Sequence, residues 1–254
     1  VMKGVIQLKT FGETGFHCLA AARGADRYPR EAFAAGLRIL GEGQLSLTKF
    51  LLVTDGSIDV AHFPCLWHHI LERIHWERDL FVFANVSQDT LDYTGPSVNK
   101  GSKAMMLGLG QEKCRELLQE FCGSLPEQCT RPKVYLPGTL VVQGTPYASS
   151  PNLAEELAQF SGVATWPVIL LVDSTEAATC SLQEFLWTFF TRFEPAADIH
   201  GREQSVHRFH VGLQPPIVFD CRMKPWYTDV LEVDAATKQQ VDEKIVRMLP
   251  AHYR

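Results

Sequence analysis

Two segments of the chain carry the same order of apolar and polar positions. In the first, an apolar run at residues 50–53 ends at Asp55-Gly56-Ser57, a turn-forming sequence that can close a buried strand. A helical stripe and a second apolar run at residues 80–84 follow, and the stripe consists of Leu66, Trp67, Ile70, Leu71 and Ile74. This pattern predicts a βαβ unit, with two parallel strands joined by a right-handed crossover.

Residues 166–199 repeat this order. Asp173 follows Asp55 by 118 residues. Three further matches lie 119 residues apart: Trp67 with Leu186, Arg73 with Arg192, and Asp79 with Asp198. Any two amphipathic βαβ units look alike, but the shared Arg-x5-Asp spacing after the helix favours an internal duplication. We therefore predict an α/β fold of two similar three-layer α/β/α subdomains with mainly parallel or mixed sheets.

The predicted boundaries place the first subdomain at residues 1–125 and the second at residues 139–254, with a proline-containing linker at residues 126–138. The remaining pattern predicts strands at residues 4–9 and 139–143, helices at residues 16–23, 30–40, 111–121, 153–160 and 234–248, and a surface loop at residues 86–100. The last helix has a narrow apolar stripe that either packs on the core or serves as a dimer arm. The first strand abuts residue 1, which indicates a fragment of a longer protein.

Charge and cysteine content narrow the partners and the compartment. The formal net charge is −5 and no block of basic residues occurs, so we expect neither nucleic acid nor an anionic membrane as a main partner. No apolar run approaches the roughly 18 residues of a membrane span. The chain has 7 cysteines without a Cys-x-x-Cys pair, and this odd number indicates reduced thiols, as in a cytoplasm.

Most candidate chemistry lacks a complete set of residues. Four histidines cluster in the first repeat, but no carboxylate or cysteine at a suitable spacing completes a zinc site, so we assign no metal ligand. Asp55 and Asp173 end strands, where open α/β sheets place ligands, yet their presence in both copies favours a turn or helix-cap role. Hydrolase, NTPase and dehydrogenase fingerprints are absent, and we assign no catalytic residue.

Two glycine-containing segments could approach a phosphate. Gly101-Ser102-Lys103 precedes an apolar run, so Lys103 is either a phosphate contact or a solvated loop lysine. The loop with Gly12 and Gly15 is either a phosphate cradle or an ordinary turn, and two glycines favour the turn. The second copy has Gln214-Pro215-Pro216 in place of the lysine segment. We therefore expect that copy to be structural or a pairing surface.

Longer motifs in both copies support one family. The first copy contains Leu66-Trp67, Arg73, Glu77-Arg78-Asp79 and Gly101-Ser102-Lys103; the second contains Leu186-Trp187, Thr191-Arg192-Phe193-Glu194-Pro195, Asp198 and Asp220-Cys221-Arg222-Met223-Lys224-Pro225. Together these segments resemble the C-terminal domain of UbiD-type decarboxylases, the family of 3-octaprenyl-4-hydroxybenzoate carboxy-lyase. The resemblance spans most of the chain, although each motif alone is short.

The resemblance implies a function and a set of contacts. UbiD-type enzymes decarboxylate aromatic or α,β-unsaturated acids reversibly, some in quinone biosynthesis, with prenylated FMN as cofactor. The family places a Gly-Ser-Lys beside this cofactor, which implies cofactor contacts for Ser102 and Lys103. It also places a strand end at the substrate pocket, which makes Gln7, Thr10 and Phe11 pocket-lining candidates. A terminal helix of the family packs against a neighbouring copy, which implies a homo-oligomer.

The family's catalytic Arg-Glu-Glu set and the divalent metal, manganese, belong to a region upstream of the part matched here. We therefore expect the chain to be the C-terminal part of such a decarboxylase, inactive and without bound cofactor on its own. It would contribute a pocket wall and an interface between subunits. The alternative is a non-catalytic scaffold or binding module that descends from such a domain.

Overall fold

The first half of the chain forms a five-stranded sheet with a helix on each face. The structure, a computed structural model, describes residues 4–25, 27–113, 116–229 and 233–248. The strands are β1 (Val5–Thr10), β2 (Leu19–Gly24), β3 (Phe50–Thr54), β4 (Leu80–Ser87) and β5 (Lys100–Gly108). The helices are α1 (Glu31–Gly41), α2 (Phe63–Arg73) and the single turn α3 (Trp76–Asp79).

The second half builds another five-stranded sheet and a small hairpin. Its strands are β6 (Cys129–Leu136), β7 (Thr139–Gly144), β8 (Val168–Val172), β9 (Ile199–His200), β10 (Gln204–His207), β11 (His210–Leu213) and β12 (Ile217–Asp220). Its helices are α4 (Leu153–Gln159), α5 (Thr175–Ala178), α6 (Leu182–Thr191), α7 (Pro195–Asp198) and α8 (Ala235–Met248). No helix in the described ranges has the length and apolar character to cross a bilayer.

The two large sheets have the same topology. The strand orders are β1-β2-β3-β5-β4 and β6-β7-β8-β12-β9. In each sheet three central strands are parallel and both edge strands are antiparallel to their neighbours. The prediction of an α/β fold with two similar, mixed-sheet units is therefore confirmed. The prediction that residues 48–85 form a parallel βαβ unit was wrong in one respect. The second strand, β4, pairs antiparallel with β5 and is not adjacent to β3.

The layers of the two halves share one helical layer. Helix α1 packs on the outer face of the first sheet, and α4 packs on the outer face of the second. Helices α2 and α6 lie between the sheets in a single aromatic core. In this core the ring of Trp67 contacts that of Phe189 at 5.6 Å, and the Phe63 and Phe185 rings lie 6.3 Å apart. Each half therefore buries its inner face against the other.

Contacts between the halves are reciprocal. The 3₁₀ turn Gly12–Thr14, which joins β1 to β2, packs against α6 of the second half. The corresponding β6–β7 turn packs against α2, since a Cβ on Gly138 would lie 3.3 Å from Leu71 Cδ1. The indole N–H of Trp67 also donates to Thr139 Oγ1 at 2.8 Å. Such reciprocity is the contact pattern that a two-fold axis generates between identical molecules.

Matching aspartates have matching backbone partners. Asp55 accepts a hydrogen bond from the backbone N–H of Gly110, and Asp173 accepts one from that of Met223. The same correspondence holds for the single-turn helices α3 and α7: Asp79 accepts from the N–H of His75, and Asp198 from that of Glu194. Asp79 and Asp198 therefore close the single-turn helices. Asp55 and Asp173 instead join the end of one strand to the residues that follow the neighbouring strand, so their duplicated role is structural but is not the predicted turn or helix cap.

Three segments differ from the predicted secondary structure. The helix at residues 16–23 was wrong, because Leu19–Gly24 forms the buried central strand β2. The helix at residues 111–121 was also wrong, because the described residues 111–113 and 116–121 are not helical; Cys114 lies outside the described residues. The linker at residues 126–138 contains the edge strand β6.

Helix α8 is confirmed, and its apolar stripe is exposed. Val241, Ile245 and Met248 are 46%, 47% and 80% exposed. The stripe therefore does not pack on the core of the described chain.

Candidate functional site

The candidate site lies at the edge of the first sheet where its parallel strands begin. The register aligns Leu19 with Phe50 and Phe50 with Ala104. The residues that immediately precede these three, Cys18, Lys49 and Lys103, therefore meet at one edge. The connection between β4 and β5, residues 88–99, covers this edge, and we refer to it as the β4–β5 loop.

Lys49 holds the β4–β5 loop from below. Its Nζ lies 2.9 Å from Asp92 Oδ2, and both side chains are at least 96% buried. Nζ also donates to Thr94 Oγ1 at 3.4 Å and lies 5.5 Å from the centre of the Phe193 ring. Burial lowers the pKa of the Lys49 ammonium, but the Asp92 carboxylate outweighs it and the net pKa is raised. The raised pKa favours the charged form of the Lys49 ammonium beside Asp92.

Close backbone approaches shape the same loop. Gln88 Nε2 donates to the carbonyl oxygen of Asp92 at 3.1 Å. A Cβ on Gly95 would lie 2.0 Å from the carbonyl oxygen of Lys100, and one on Gly101 would lie 1.5 Å from Gln88 Oε1. Only glycine fits at either position without displacing these groups. The loop is therefore fixed by a buried ion pair at its centre and by two glycines near its end.

A second polar contact connects this loop to the start of β2. His17 Nδ1 and Asp89 Oδ2 form a short contact. Burial raises the pKa of the Asp89 carboxyl, but hydrogen bonds from His17 and from the backbone N–H of Leu91 lower it by more. The net pKa therefore lies below the ordinary value. Asp89 and Asp92 thus connect the loop to a residue shortly before β2 and to the residue preceding β3.

Lys103 donates to main-chain carbonyls at this edge. Its Nζ lies 2.7 Å from Ser46 O and 3.0 Å from Thr48 O. Burial lowers the pKa of its ammonium group. The side chain borders a groove of about 340 Å³ beside α1, with Leu37 and Phe83 among the lining residues. An ammonium has three N–H donors, so one remains for a ligand.

Ser102 lies on the opposite face of β5, because successive side chains of a strand alternate. Its Oγ donates to Glu194 Oε1 at 2.8 Å and accepts from the backbone N–H of Ala196 at 2.9 Å. The Ser102 hydroxyl is fully buried in the contact between the halves. The cofactor contacts of Ser102 and Lys103 stay predictions, and this geometry directs the two side chains to different faces of the sheet.

The three predicted pocket residues lie on or beside the edge strand β1 but not at one end of it. Thr10 pairs with Ala20, so Thr10 and the following Phe11 lie at the same edge as Lys103. Phe11 is buried, with its ring edge-on to Phe63 at 6.0 Å. Gln7 lies towards the opposite edge and donates to Asp59 Oδ1 at 2.6 Å. The structure thus brings Thr10 and Phe11, but not Gln7, to the edge of the sheet where Lys103 lies.

Two clefts flank the outer side of the β4–β5 loop. One has a volume of about 570 Å³, and its walls include Tyr93 from the loop and Trp226 from the second half. The other has a volume of about 550 Å³ and lies against the start of β5. Glu194 and Pro96 border both clefts. The second half of the chain therefore contributes to the wall of the candidate site.

The duplication itself supplies the signal that sequence reasoning missed. The strand registers equate Lys49 with Pro167 and Lys103 with Pro216, because Phe50–Ala104 corresponds to Val168–Ile217. Between β9 and β12, which correspond to β4 and β5, the second half has the hairpin β10–β11 in place of the β4–β5 loop. Both lysines are therefore prolines in the copy that lacks the loop. This difference points to Lys49, which the motif search did not select.

Possible metal ligands do not converge in the described ranges. No group of three or more His, Cys, Asp or Glu side chains there has the geometry to hold a metal ion. The six described cysteines are free thiols.

Comparison with known proteins identifies relatives for both halves. Residues 1–108 match the family model of the 3-octaprenyl-4-hydroxybenzoate carboxy-lyase C-terminal domain. A Chlamydia pneumoniae protein, named as one of the subunits of 4-hydroxybenzoate decarboxylase, is 41% identical over 96% of this chain and 41% of its own length. An uncharacterized protein of Chlamydia caviae is 41% identical over 99% of this chain and 43% of its own length. The chain thus spans about two fifths of these relatives.

Solved structures of UbiD-class decarboxylases are also similar to parts of this chain. The vanillic acid decarboxylase of Sedimentibacter hydroxybenzoicus in its open form has 16% identity and a TM-score of 0.40, over 45% of this chain and 25% of that one. The UbiD-class enzyme HmfF of Pelotomaculum thermopropionicum, solved in complex with FMN, has 16% identity and a TM-score of 0.39, over 42% of this chain and 23% of that one.

Proposed function

We propose that this chain is the C-terminal part of a non-oxidative aromatic-acid decarboxylase of the UbiD type, because residues 1–108 match the family model of the C-terminal domain of these enzymes. The observation that carries the proposal is the family match, extended to almost the whole chain by the identity to the chlamydial decarboxylase protein. In the longer protein, the chain would form one wall of the active site and an interface between subunits. The same proposal includes a hydroxybenzoate-like acid of quinone biosynthesis as the substrate. It also includes a cytoplasmic location and an oligomeric state for the enzyme.

The cofactor of this proposal is prenylated FMN, which when bound holds the charge that develops on the substrate as carbon dioxide leaves. Lys103 fits such a group in part, because one N–H of its ammonium remains after the bonds to Ser46 and Thr48. Ser102 does not fit as a donor, because its hydroxyl proton lies in the bond to Glu194. The catalytic acid–base set and the divalent metal belong to parts of the protein outside this chain.

The residues of this chain would hold the β4–β5 loop in place and enclose the ligand. Lys49 and Asp92 fix the β4–β5 loop over the strand edge. The loop together with Trp226 would exclude water from a ligand in the cleft that they border. The exposed stripe of α8 would supply the contact between subunits, since Val241, Ile245 and Met248 leave apolar surface uncovered on the described chain.

The decisive experiment uses the full-length parent protein, co-expressed with a flavin prenyltransferase. We expect absorbance of the modified flavin in the purified protein and release of carbon dioxide from 4-hydroxybenzoate. Lys103→Ala should lose most of the bound flavin, whereas Lys100→Ala, at an exposed lysine of the same strand, should retain it. The 254-residue chain alone should release no carbon dioxide. A parent protein that binds no flavin and decarboxylates no aromatic or unsaturated acid would contradict the proposal.

The second candidate function is a binding or scaffold module without catalysis. Two observations favour it: Glu194 of the second half accepts the hydroxyl proton of Ser102, and main-chain carbonyls accept from two of the three N–H donors of Lys103. The two candidates differ in the parent protein, because only an enzyme would need the Arg-Glu-Glu set in the remaining sequence. A parent protein that binds no flavin and lacks this set would favour the module, whereas equal flavin content in the Lys103→Ala and Lys100→Ala parents would contradict only the contact of Lys103.

A further inference from the structure

Glu194 is a carboxyl group that the second half brings to the first. It precedes α7, whose first residue is Pro195, and this short helix packs on β4 and β5. The side chain therefore reaches the cleft beside the β4–β5 loop, 92 residues from its hydrogen-bond donor Ser102. Neither half alone contains both the loop and this carboxyl group.

The Glu194 carboxyl is oriented from two directions. Ser102 Oγ donates to Oε1, and the same Oγ is fixed by the N–H of Ala196. The backbone N–H of Glu194 donates to Asp198 Oδ2 at 2.7 Å, which fixes the main chain beneath the side chain. The bond from Ser102 uses Oε1 and leaves Oε2 available at the cleft.

The charge balance at the cleft singles out this group. Asp92 also borders the cleft, but its charge is neutralised by Lys49. In the described part of the chain, Glu194 has no lysine, arginine or histidine nitrogen within ion-pair distance. Burial raises the pKa of its carboxyl above the ordinary value of 4.5. A half-buried carboxylate without an ion-pair partner among the described residues gains free energy from a hydrogen-bond donor that reaches it.

The cleft around Glu194 is suited to a flat ring. Tyr93 and Trp226 both border it, and Trp226 is 58% exposed. Such rings offer faces for an aromatic ligand, with a preference for offset-stacked or edge-to-face contact.

From these contacts we propose that Glu194 is a ligand-binding residue, which accepts a hydrogen bond from an O–H or N–H group on a planar aromatic ligand in this cleft. Ser102 is its positioning residue. Two sources share this chemistry: a small phenolic ring, and the larger ring system of a flavin, which carries an N–H. The proposal requires no decarboxylation and no bound cofactor.

The test uses the whole chain and a pair of probes that differ in one donor. Phenol donates a hydrogen bond, whereas anisole, with a methyl group on the same oxygen, does not. Binding is read from the indole N–H resonance of Trp226, assigned by its loss in Trp226→Phe. FMN is titrated in a separate arm, so that a shift by FMN and not by phenol would identify the flavin ring as the ligand.

We expect phenol to bind about fivefold more tightly once Glu194 is ionised, because a hydrogen bond to a charged acceptor is stronger than one to a neutral group. Since the Glu194 pKa is raised, this increase should occur above pH 4.5. Anisole should show no such increase. Glu194→Gln should abolish the pH dependence of phenol or FMN binding, and Ser102→Ala should reduce the affinity. Glu77→Gln is the control, because Glu77 accepts from Gln214 across the other contact between the halves.

A pH dependence that survives in Glu194→Gln would overturn the proposal, as would equal pH profiles for phenol and anisole without a response to FMN. Because the readout needs no turnover, an inactive parent protein would leave this test intact. Conversely, a decarboxylase whose Glu194→Gln variant binds ligands as before would contradict this inference alone.

Discussion

The Nζ atom of Lys49 lies 2.9 Å from Asp92 Oδ2, and this ion pair is buried beneath the β4–β5 loop. A charge enclosed in this way is tolerated because its partner is present, and it becomes costly when the partner is removed. The loop that carries Asp92 borders both clefts of the candidate site. The geometry of the clefts therefore depends on Lys49, which borders neither of them.

Lys49→Met should lower the free energy of unfolding by about 3–5 kcal/mol, because it leaves the Asp92 carboxylate buried without a cation. Denaturant unfolding measures the change. The double variant Lys49→Met/Asp92→Leu should recover a large part of the loss, because no uncompensated charge remains. Lys100→Met, at an exposed lysine where the same loop ends, should change the value by less than about 0.5 kcal/mol. Additive effects of the two single substitutions would contradict the buried pair.

Gly95→Ala should displace the β4–β5 loop, because the added Cβ would lie 2.0 Å from the carbonyl oxygen of Lys100. Overpacking of this kind typically costs about 1–3 kcal/mol. Limited proteolysis should detect faster cleavage within the loop, and unfolding measurements should give the loss. Gly41→Ala is the matched control, because a Cβ there meets nothing within 4 Å. Equal protease resistance of both variants would show that the loop accommodates the extra carbon.

Trp67→Phe should destabilise the contact between the halves, because it leaves the buried Thr139 hydroxyl without its indole donor. The expected loss is about 1–3 kcal/mol, the cost of a buried polar group without a partner. Thr139→Val removes the acceptor instead and should cost a similar amount. Since both sheets pack on one aromatic core, each variant should still unfold in a single transition. Two separated transitions, monitored by fluorescence and circular dichroism, would contradict a shared core.

Asp89→Asn should lower stability at pH 5 by more than at pH 3. The folded pKa of Asp89 is depressed below 3.8, so its ionised form stabilises the folded state above the unfolded pKa. This contribution disappears as the pH falls through the folded pKa. The difference in unfolding free energy between wild type and variant should therefore shrink from pH 5 to pH 3. A difference that grows towards pH 3 would mean that the His17 and Leu91 contacts do not favour the ionised form.

Strongly periodic segments were predictable because burial on one face leaves a clear pattern. Strand β3 and helix α2 illustrate this, and the Asp55–Asp173 match anticipated the repeated topology. Strand β2 was missed because its alanines suit either a helix or a strand, and only its position between two strands decides the outcome. Strand β6 was missed because Arg131, Pro132 and Lys133 resemble a linker, whereas an edge strand can accommodate both charge and proline.

The candidate site was predictable only where a local motif exists. Gly101-Ser102-Lys103 was found in this way. Lys49 was not, because a lysine before a strand resembles any surface lysine until Asp92 folds over it. Glu194 was assigned to the family motif in the second copy, but its contact with Ser102 spans 92 residues and has no signature in either segment. Long-range polar contacts of this kind require the tertiary structure.

The reciprocal packing of the two halves has a consequence for the history of the gene. Before duplication, a single copy could cover its aromatic helix face by meeting an identical molecule. In the duplicated chain the second copy buries this face instead. Deletion of either half would therefore expose the rings around Trp67 or Phe189 to water. Shortening the gene would then be opposed by aggregation, while the two copies remain free to diverge, as the lysines of the first and the prolines of the second illustrate.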